Sequence, residues 1–175
     1  MTTMLLIGAL SHLLGAGAGW PAAPADACAL LSTDDVRSVQ QTIVKESKPS
    51  VHIARGLRYE QCVFAAADFA HSVSLTLISG DAEGTRAFWS TTFHPQRTEA
   101  ALARATRKKD LPRQVAGLGD DAFWTGDSRT GALYVLSGDR VLRISVGGAS
   151  EEAERLRRSQ ALADAALRRL AAVRK

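Results

Sequence analysis

The segment ALYVLSGDRVLRISV, residues 132–146, decides the fold of this chain. Two runs within it, Ala132–Leu136 and Val141–Val146, are rich in the branched and aromatic residues that are typical of β-strands. Gly138-Asp139 between them has the composition of a two-residue hairpin turn, so the segment predicts an antiparallel hairpin. Upstream, Phe123-Trp124 provides another strand, and the three strands together predict a β-meander.

A second hairpin is predicted nearer the N-terminus. The runs YEQCVFAA (59–66) and SVSLTLI (72–78) flank a short turn around Asp68. In the second run apolar residues alternate with Ser and Thr, which is the period of a half-buried strand. The preceding segment KESKPSVHIARG (45–56) is polar and interrupted by Pro49, so we expect a loop there with at most a short strand near residues 51–53.

Helical patterns account for most of the remaining chain. Ser32 and Asp35 are spaced to form a capping box at the start of an N-terminal helix. Asp81–Thr92, with Asp81 as its N-cap, and Thr98–Lys109 form a middle helical segment. Ser150–Lys175, with Ser150 as the cap, form a long C-terminal helix. The predicted fold class is therefore α+β. We expect an antiparallel sheet of about five strands, a hairpin plus a three-strand meander, with the N-terminal, middle and C-terminal helices packed on it.

Composition limits the class of protein. The chain has 175 residues, of which 46% are hydrophobic and 23% are charged, values that are typical of a globular protein. The formal net charge is only +4, and the basic residues are not concentrated in one segment, which argues against nucleic acid as a partner. Residues 28–175 are predicted to form a single domain.

The first 27 residues differ from the rest and are predicted to be an export signal peptide. The apolar stretch Met4–Leu14 is too short to span a bilayer, so no transmembrane segment is predicted. Small residues follow it, with Ala-x-Ala cleavage sites that end at Ala25 and Ala27. A buried N-terminal helix is the alternative, but the glycines and prolines of this stretch disfavour it. We therefore expect a periplasmic or secreted protein.

Export changes the interpretation of the two cysteines. In an oxidising compartment, an even number of cysteines most simply predicts a disulfide, here Cys28–Cys62. The alternative is a lipid anchor on Cys28, which directly follows the small-residue stretch. The residues before Cys28 match a lipidation signal poorly, because Ala25 stands where Leu is usual and Asp26 where a small residue is usual.

The segment GLGDDAFW, residues 117–124, contains two glycines and two adjacent carboxylates. A phosphate-binding loop would require a strand before the glycines and a helix after them, whereas a strand follows here. Adjacent residues of a strand point to opposite faces, which separates paired acids. We therefore predict a structural turn formed by Gly117, Gly119, Asp120 and Asp121.

No catalytic or cofactor-binding motif is recognisable, so we predict no catalytic residues, no cofactor and no metal. His52, His71 and His94 are scattered through the chain and do not show the spacing of metal ligands. If the protein were instead an envelope hydrolase with an unrecognised acidic site, its candidate residues would be Asp120, Asp121, Asp127 and His94.

Three short motifs carry a resemblance to a known group of proteins. CALLSTDDV (28–36), YEQC (59–62) and GLGDDAFW, followed by the hairpin and the long helix, resemble small exported bacterial envelope proteins and lipoproteins of unknown function. The resemblance extends over about residues 28–172. It implies an α+β domain with an antiparallel sheet, and it implies no catalytic residues.

These observations favour a non-catalytic binding or protein-interaction module of the cell envelope. Its partner would be an unknown envelope protein or a small apolar ligand. The aromatic residues Trp89, Phe93, Phe123 and Trp124 are candidates for lining a ligand groove, with packing in the core as the alternative.

Overall fold

The computed structural model describes four parts of the chain, residues 26–94, 111–127, 129–148 and 151–173. The predicted export segment up to residue 25, the predicted helix over 98–109 and the predicted cap at Ser150 lie outside the described residues.

The described residues form an α+β structure with one antiparallel sheet and three α-helices. The strands are β1 (Val44–Ala54), β2 (Leu57–Ala66), β3 (Val73–Ser79), β4 (Arg113–Gln114), β5 (Asp121–Gly126), β6 (Gly131–Ser137) and β7 (Arg140–Val146). The helices are α1 (Thr33–Gln40), α2 (Ala82–Phe93) and α3 (Glu152–Val173), with short 3₁₀ helices at Ala27–Leu30 and Phe69–His71. The order of the strands in the sheet is β1-β2-β3-β7-β6-β5-β4.

Both predicted hairpin units are present. Ser137 pairs with Arg140 across the two-residue turn, and Gly138 has φ +61°, a conformation that glycine adopts readily. The β2–β3 hairpin joins the meander through β7, where Leu75 of β3 pairs with Ile144. This long-range pairing between β3 and β7 makes the two predicted units one continuous sheet.

The sheet has seven strands among the described residues, so the expectation of about five was too low. The largest difference is β1, an 11-residue edge strand in the segment that we expected to be mainly a loop. Ala54 and Leu57 flank a two-residue turn and form a hydrogen-bonded pair. From there, hydrogen-bonded and non-hydrogen-bonded pairs alternate along the two strands, so the Pro49–Cys62 pair is not hydrogen-bonded. Pro49, opposite Cys62, consequently has its nitrogen directed away from β2. An edge strand tolerates proline at such a position because no ladder bond is lost.

The main core lies on the face of the sheet that α1 and α3 cover. Branched and aromatic residues of the sheet, α1 and α3 meet there with almost no exposure, including Val36, Phe64, Leu75, Trp124, Leu133, Ile144, Leu162 and Leu170. The predicted disulfide is confirmed, since Cys28 and Cys62 are bonded with their Cα atoms 5.0 Å apart. It attaches the N-terminal 3₁₀ helix covalently to β2 within this core.

Helix α1 begins with the capping box that the sequence predicts. The Ser32 hydroxyl accepts a hydrogen bond from the Asp35 backbone nitrogen at 3.1 Å, and the Asp35 carboxylate accepts one from the Ser32 nitrogen at 2.7 Å. Asp35 also forms an ion pair with Arg169 at 2.7 Å. This carboxylate therefore both stabilises the start of α1 and holds α1 against α3.

Helix α2 packs on the opposite face of the sheet. Asp81 caps it, as predicted, by accepting a hydrogen bond from the Gly84 nitrogen at 2.6 Å. Its buried residues Trp89 and Phe93 form a second, smaller cluster with Leu57, Ile78, Phe123 and Val141 of the sheet. Beside α2, no other element of the described residues covers this sheet face, and the candidate site lies there.

Candidate functional site

A groove of about 300 Å³ lies on the open face of the sheet beside α2. The described residues that line it belong to β1, β2, β3, β6, β7 and α2. They are His52, Tyr59, Gln61, Thr76, Ile78, Phe88, Tyr134 and Arg143. The lining mixes aromatic, apolar and polar side chains. This mixture is typical of sites for small organic ligands, in which apolar walls provide contact and a few polar groups fix the orientation.

Strand register brings these residues together from distant parts of the sequence. Directly paired residues in neighbouring antiparallel strands project from the same face of a sheet. One row runs from Gln61 through Thr76 to Arg143 and Tyr134. A neighbouring row places His52, Tyr59 and Ile78 side by side. The groove is thus formed by two adjacent rows of the same face.

Aromatic rings form the walls on either side of this surface. On the β1–β2 side, the rings of His52 and Tyr59 are stacked, with their centroids 4.7 Å apart and their planes at 6°. Phe88 of α2 reaches the groove and is only partly buried. Tyr134 lies on β6, three strands away from Tyr59 across β3 and β7 and in the other row. A ligand that fills the groove would contact flat aromatic surfaces.

Arg143 is the cationic group of this surface. Its Nε donates a hydrogen bond to the Tyr134 hydroxyl at 3.0 Å, and its guanidinium carbon lies 5.7 Å from the centre of the same ring. The contact fixes the guanidinium group, which remains partly exposed. Among the described residues that line the groove, none is acidic, so this charge is not neutralised within it.

Three of the four aromatic residues proposed from the sequence lie together beside the groove. Trp89, Phe93 and Phe123 are in contact, and the ring centroids of the stacked Phe93 and Phe123 are 5.1 Å apart. All three side chains are buried between α2 and the sheet. Trp124 lies on the opposite face in the main core and is 1% exposed, where its Nε1 donates to Glu152 at 2.9 Å. Phe93 also contacts Tyr134, so this cluster packs against a residue that lines the groove.

Asp121 connects α2 to the meander. Its Oδ2 accepts a hydrogen bond from Trp89 Nε1 at 3.0 Å and lies 3.0 Å from His94 Nε2, while its Oδ1 accepts from Gln114 at 3.2 Å and from the Ala122 nitrogen at 3.0 Å. Burial acts to raise the pKa of Asp121, but these hydrogen bonds outweigh it and hold the pKa below the usual aspartate value. The carboxylate is ionised and fully engaged in joining the two elements.

The other proposed acidic residues have different surroundings. Asp120 accepts a hydrogen bond from the Gly138 nitrogen at 2.6 Å, which joins its turn to the β6–β7 hairpin. Asp127, at the far end of β5, accepts from the backbone nitrogens of Arg129 and Thr130 at 2.7 and 2.8 Å, and these bonds lower its pKa. Of the hydrolase candidates, only His94 and Asp121 are therefore brought together.

The predicted turn contains two glycines with positive φ, Gly117 at +82° and Gly119 at +55°. At Gly119 a Cβ atom would also overlap the carbonyl oxygen of Leu136, whereas at Gly117 nothing lies within 4 Å of that position. The backbone nitrogen of Asp120 donates to the same Leu136 oxygen at 2.8 Å. The close approach of this turn to β6 requires glycine at position 119.

The described residues contain neither a metal-binding cluster nor a helix suited to crossing a membrane. No group of three or more His, Cys, Asp or Glu side chains there is arranged to hold a metal ion. None of the helices of the described residues combines the length and the apolar character that crossing a membrane requires.

Comparison of the chain with protein-family models, curated proteins and solved structures gives no match. The groove residues His52, Tyr59, Thr76 and Arg143 were not singled out from the sequence. Alternation along β3 and β7 could have indicated that Thr76 and Arg143 each lie on the more polar face. Their meeting depends on the β3–β7 pairing, for which the sequence contains no local signal.

Proposed function

We propose that the protein is a non-catalytic, exported domain of the cell envelope that binds a ligand or partner on the open face of its sheet. The groove beside α2 is the observation that carries this proposal. Thr76 and Ile78 form a buried floor, whereas Gln61, Phe88 and Tyr134 remain partly exposed around it. A concave surface with aromatic walls and oriented polar groups is suited to recognition.

Export is supported by two structural features. The Cys28–Cys62 disulfide is typical of proteins that fold in an oxidising compartment. The second feature is that Asp26 and Ala27, which follow the predicted cleavage site after Ala25, both take part in the folded domain. Asp26 accepts a hydrogen bond from the Cys28 nitrogen at 2.9 Å, and Ala27 is buried. Both features agree with a mature domain that starts near Asp26 and is located in the periplasm or outside the cell.

A second candidate function, an envelope hydrolase, has one observation in its favour, the 3.0 Å contact between His94 and Asp121. In hydrolytic triads such a pair activates a nucleophile on the other side of the imidazole. Among the described residues, no serine or threonine hydroxyl forms a hydrogen bond with His94, and both cysteines are in the disulfide. Asp121 is also occupied by Trp89 and Gln114. The geometry therefore supports binding better than hydrolysis.

Native mass spectrometry of the protein purified from its own envelope tests the binding proposal. We expect a retained small molecule or partner that is lost in the variant Phe88→Ala, because Phe88 forms one wall of the groove. Phe69→Ala is the matched control, since Phe69 is 76% exposed on the β2–β3 connection and does not line the groove. Equal retention by both variants would place the binding site elsewhere.

A further inference from the structure

Within the proposed function, on which this inference rests, we infer that the groove selects a small organic anion with a planar ring. The ring would lie against the aromatic walls, and the acidic group would bind Arg143. The ligand class is thereby narrowed from apolar molecules in general to aromatic acids. Both the shape of the groove and its charge support this.

The shape favours a flat ligand body. The His52–Tyr59 stack presents a flat ring surface on one side, and Phe88 presents another from α2. Aromatic side chains contribute a large contact area and favour stacked or edge-to-face arrangements with other rings. Ile78 below them is 2% exposed and gives the floor an apolar surface. A ring system fits this surface better than an extended polar chain.

The charge favours an anion. Arg143 is the one arginine or lysine among the described lining residues, His52 is the other basic group, and no carboxylate lines the groove. Asp121, a carboxylate of this sheet face, is occupied by Trp89 and His94 beside α2. Tyr134 accepts the hydrogen bond from Arg143 Nε, which leaves the terminal nitrogens of the guanidinium to bind a carboxylate, sulfonate or phosphate.

The polar side chains beside Arg143 also favour a ligand whose acidic group lies at Arg143. The Gln61 amide donates to the Ser74 hydroxyl at 2.8 Å, so its side chain is held in place between β2 and β3. Thr76, paired with both Gln61 and Arg143, is 6% exposed and brings a hydroxyl between them. An acidic group at Arg143 would therefore lie beside oriented polar neighbours, while the ring would lie toward Tyr59 and Phe88.

The test uses two fluorescent compounds with the same ring system. 8-Anilinonaphthalene-1-sulfonate carries an anionic group, whereas N-phenyl-1-naphthylamine does not. We expect the purified protein to bind the sulfonate at least about tenfold more tightly, which is the difference that one charge-assisted contact typically gives. The preference should decrease as salt is added, since a partly exposed charge is screened.

Three variants distinguish the possible results. Arg143→Met should remove the preference for the sulfonate, Arg143→Lys should keep part of it, and Phe88→Ala should weaken the binding of both compounds. Arg168→Met is the matched control, because Arg168 is exposed on α3 on the opposite side of the sheet and its loss changes the net charge equally. This control should bind like the unaltered protein.

The outcomes separate this inference from the proposed function. Equal binding of both compounds, weakened by Phe88→Ala, would overturn anion selection but leave a ligand groove in place. A sulfonate preference that persists in Arg143→Met would also overturn the inference. Failure of both compounds to bind, or binding that neither Phe88→Ala nor Arg143→Met changes, would overturn the groove as a binding site. If Arg143→Met does not fold, the Lys variant and the salt dependence decide.

Discussion

The indole nitrogen of Trp89 lies 3.0 Å from a carboxylate oxygen of Asp121, and this contact joins α2 to the first long strand of the meander. His94, which directly follows α2, contacts the same oxygen through its Nε2 at 3.0 Å. A single carboxylate therefore fixes the helix whose Phe88 forms one wall of the groove. Asp121 therefore affects the groove indirectly, through the position of α2.

Replacing Asp121 with Asn should destabilise the protein by about 1 to 3 kcal/mol. The amide nitrogen would replace one of the two carboxylate oxygens, so a donor would face either Trp89 at Oδ2 or Gln114 and the Ala122 nitrogen at Oδ1. A buried polar group that loses its partner costs about this much. Chemical denaturation at neutral pH measures the loss. Asp120→Asn is the matched control, because Asp120 accepts one bond, from Gly138, which an Asn oxygen can still accept. Equal effects of the two substitutions would contradict the role given to Asp121.

The contribution of Asp121 should also depend on pH. Its pKa in the folded protein is lowered, so the folded state binds the proton less readily than the unfolded chain does. The stabilisation is fully present above the ordinary carboxyl pKa, about 3.9, and is lost as the pH falls through the lowered folded-state value. Unfolding curves of the protein and of Asp121→Asn should therefore converge as the pH falls through this range. A difference in unfolding free energy that stays constant from neutral pH into strong acid would refute the linkage.

Gly119→Ala should be more damaging than Gly117→Ala. Both glycines have positive φ, which costs a substituted residue about 1 to 3 kcal/mol. Only at Gly119 would the added Cβ also overlap the carbonyl of Leu136, whereas the position at Gly117 is open. Thermal melting of the two variants provides the comparison. The order would have to be revised if Gly117→Ala melted at the lower temperature.

Loss of the disulfide should lower the free energy of unfolding by about 3 to 4 kcal/mol, the chain-entropy estimate for closing a loop of this length. The two cysteines are 34 residues apart, and Cys62 is fully buried in the main core. The measurement is denaturation of the protein with and without reductant. The double variant Cys28→Ala, Cys62→Ala is the control and should not respond to reductant. A protein whose stability is unchanged by reduction would show that the bond is dispensable.

Under the export proposal, we expect cleavage of the signal peptide after Ala25 rather than after Ala27. Cleavage after Ala27 would remove Asp26, which caps the first 3₁₀ helix, and Ala27, which is 2% exposed within the main core. Cleavage after Ala25 keeps both residues. N-terminal sequencing of protein recovered from its host should therefore begin at Asp26. A sequence that begins at Cys28 would contradict the prediction, and one that begins at Met1 would contradict export.

Most of the described secondary structure could be predicted, because caps and turns depend on residues that are close together in the sequence. The Ser32 cap, the Asp81 cap and the Gly138 turn are each determined by residues within a few positions. The strand β1 could not be predicted in the same way. Pro49 usually indicates a loop, and it is compatible with a strand only because β1 lies at the edge of the sheet, which depends on the order of all seven strands.

The candidate site was harder to predict than the fold. Phe123 and Trp124 are adjacent in β5, so their side chains project from opposite faces, and only Phe123 joins Trp89 and Phe93. The groove itself depends on long-range register, which brings Arg143 of β7 beside Thr76 of β3. A single sequence shows which residues alternate along a strand, but it does not show which strands become neighbours.

The position of Pro49 has a consequence for how the chain meets other protein chains. An open edge strand of 11 residues is a template on which another chain could add a strand, the first step of polymerisation. Any such strand would find no donor at Pro49, near the middle of β1, and charged side chains at Lys45, Glu46 and Lys48 just before it. The outer edge of β1 therefore resists the uninterrupted ladder through which fibrils grow.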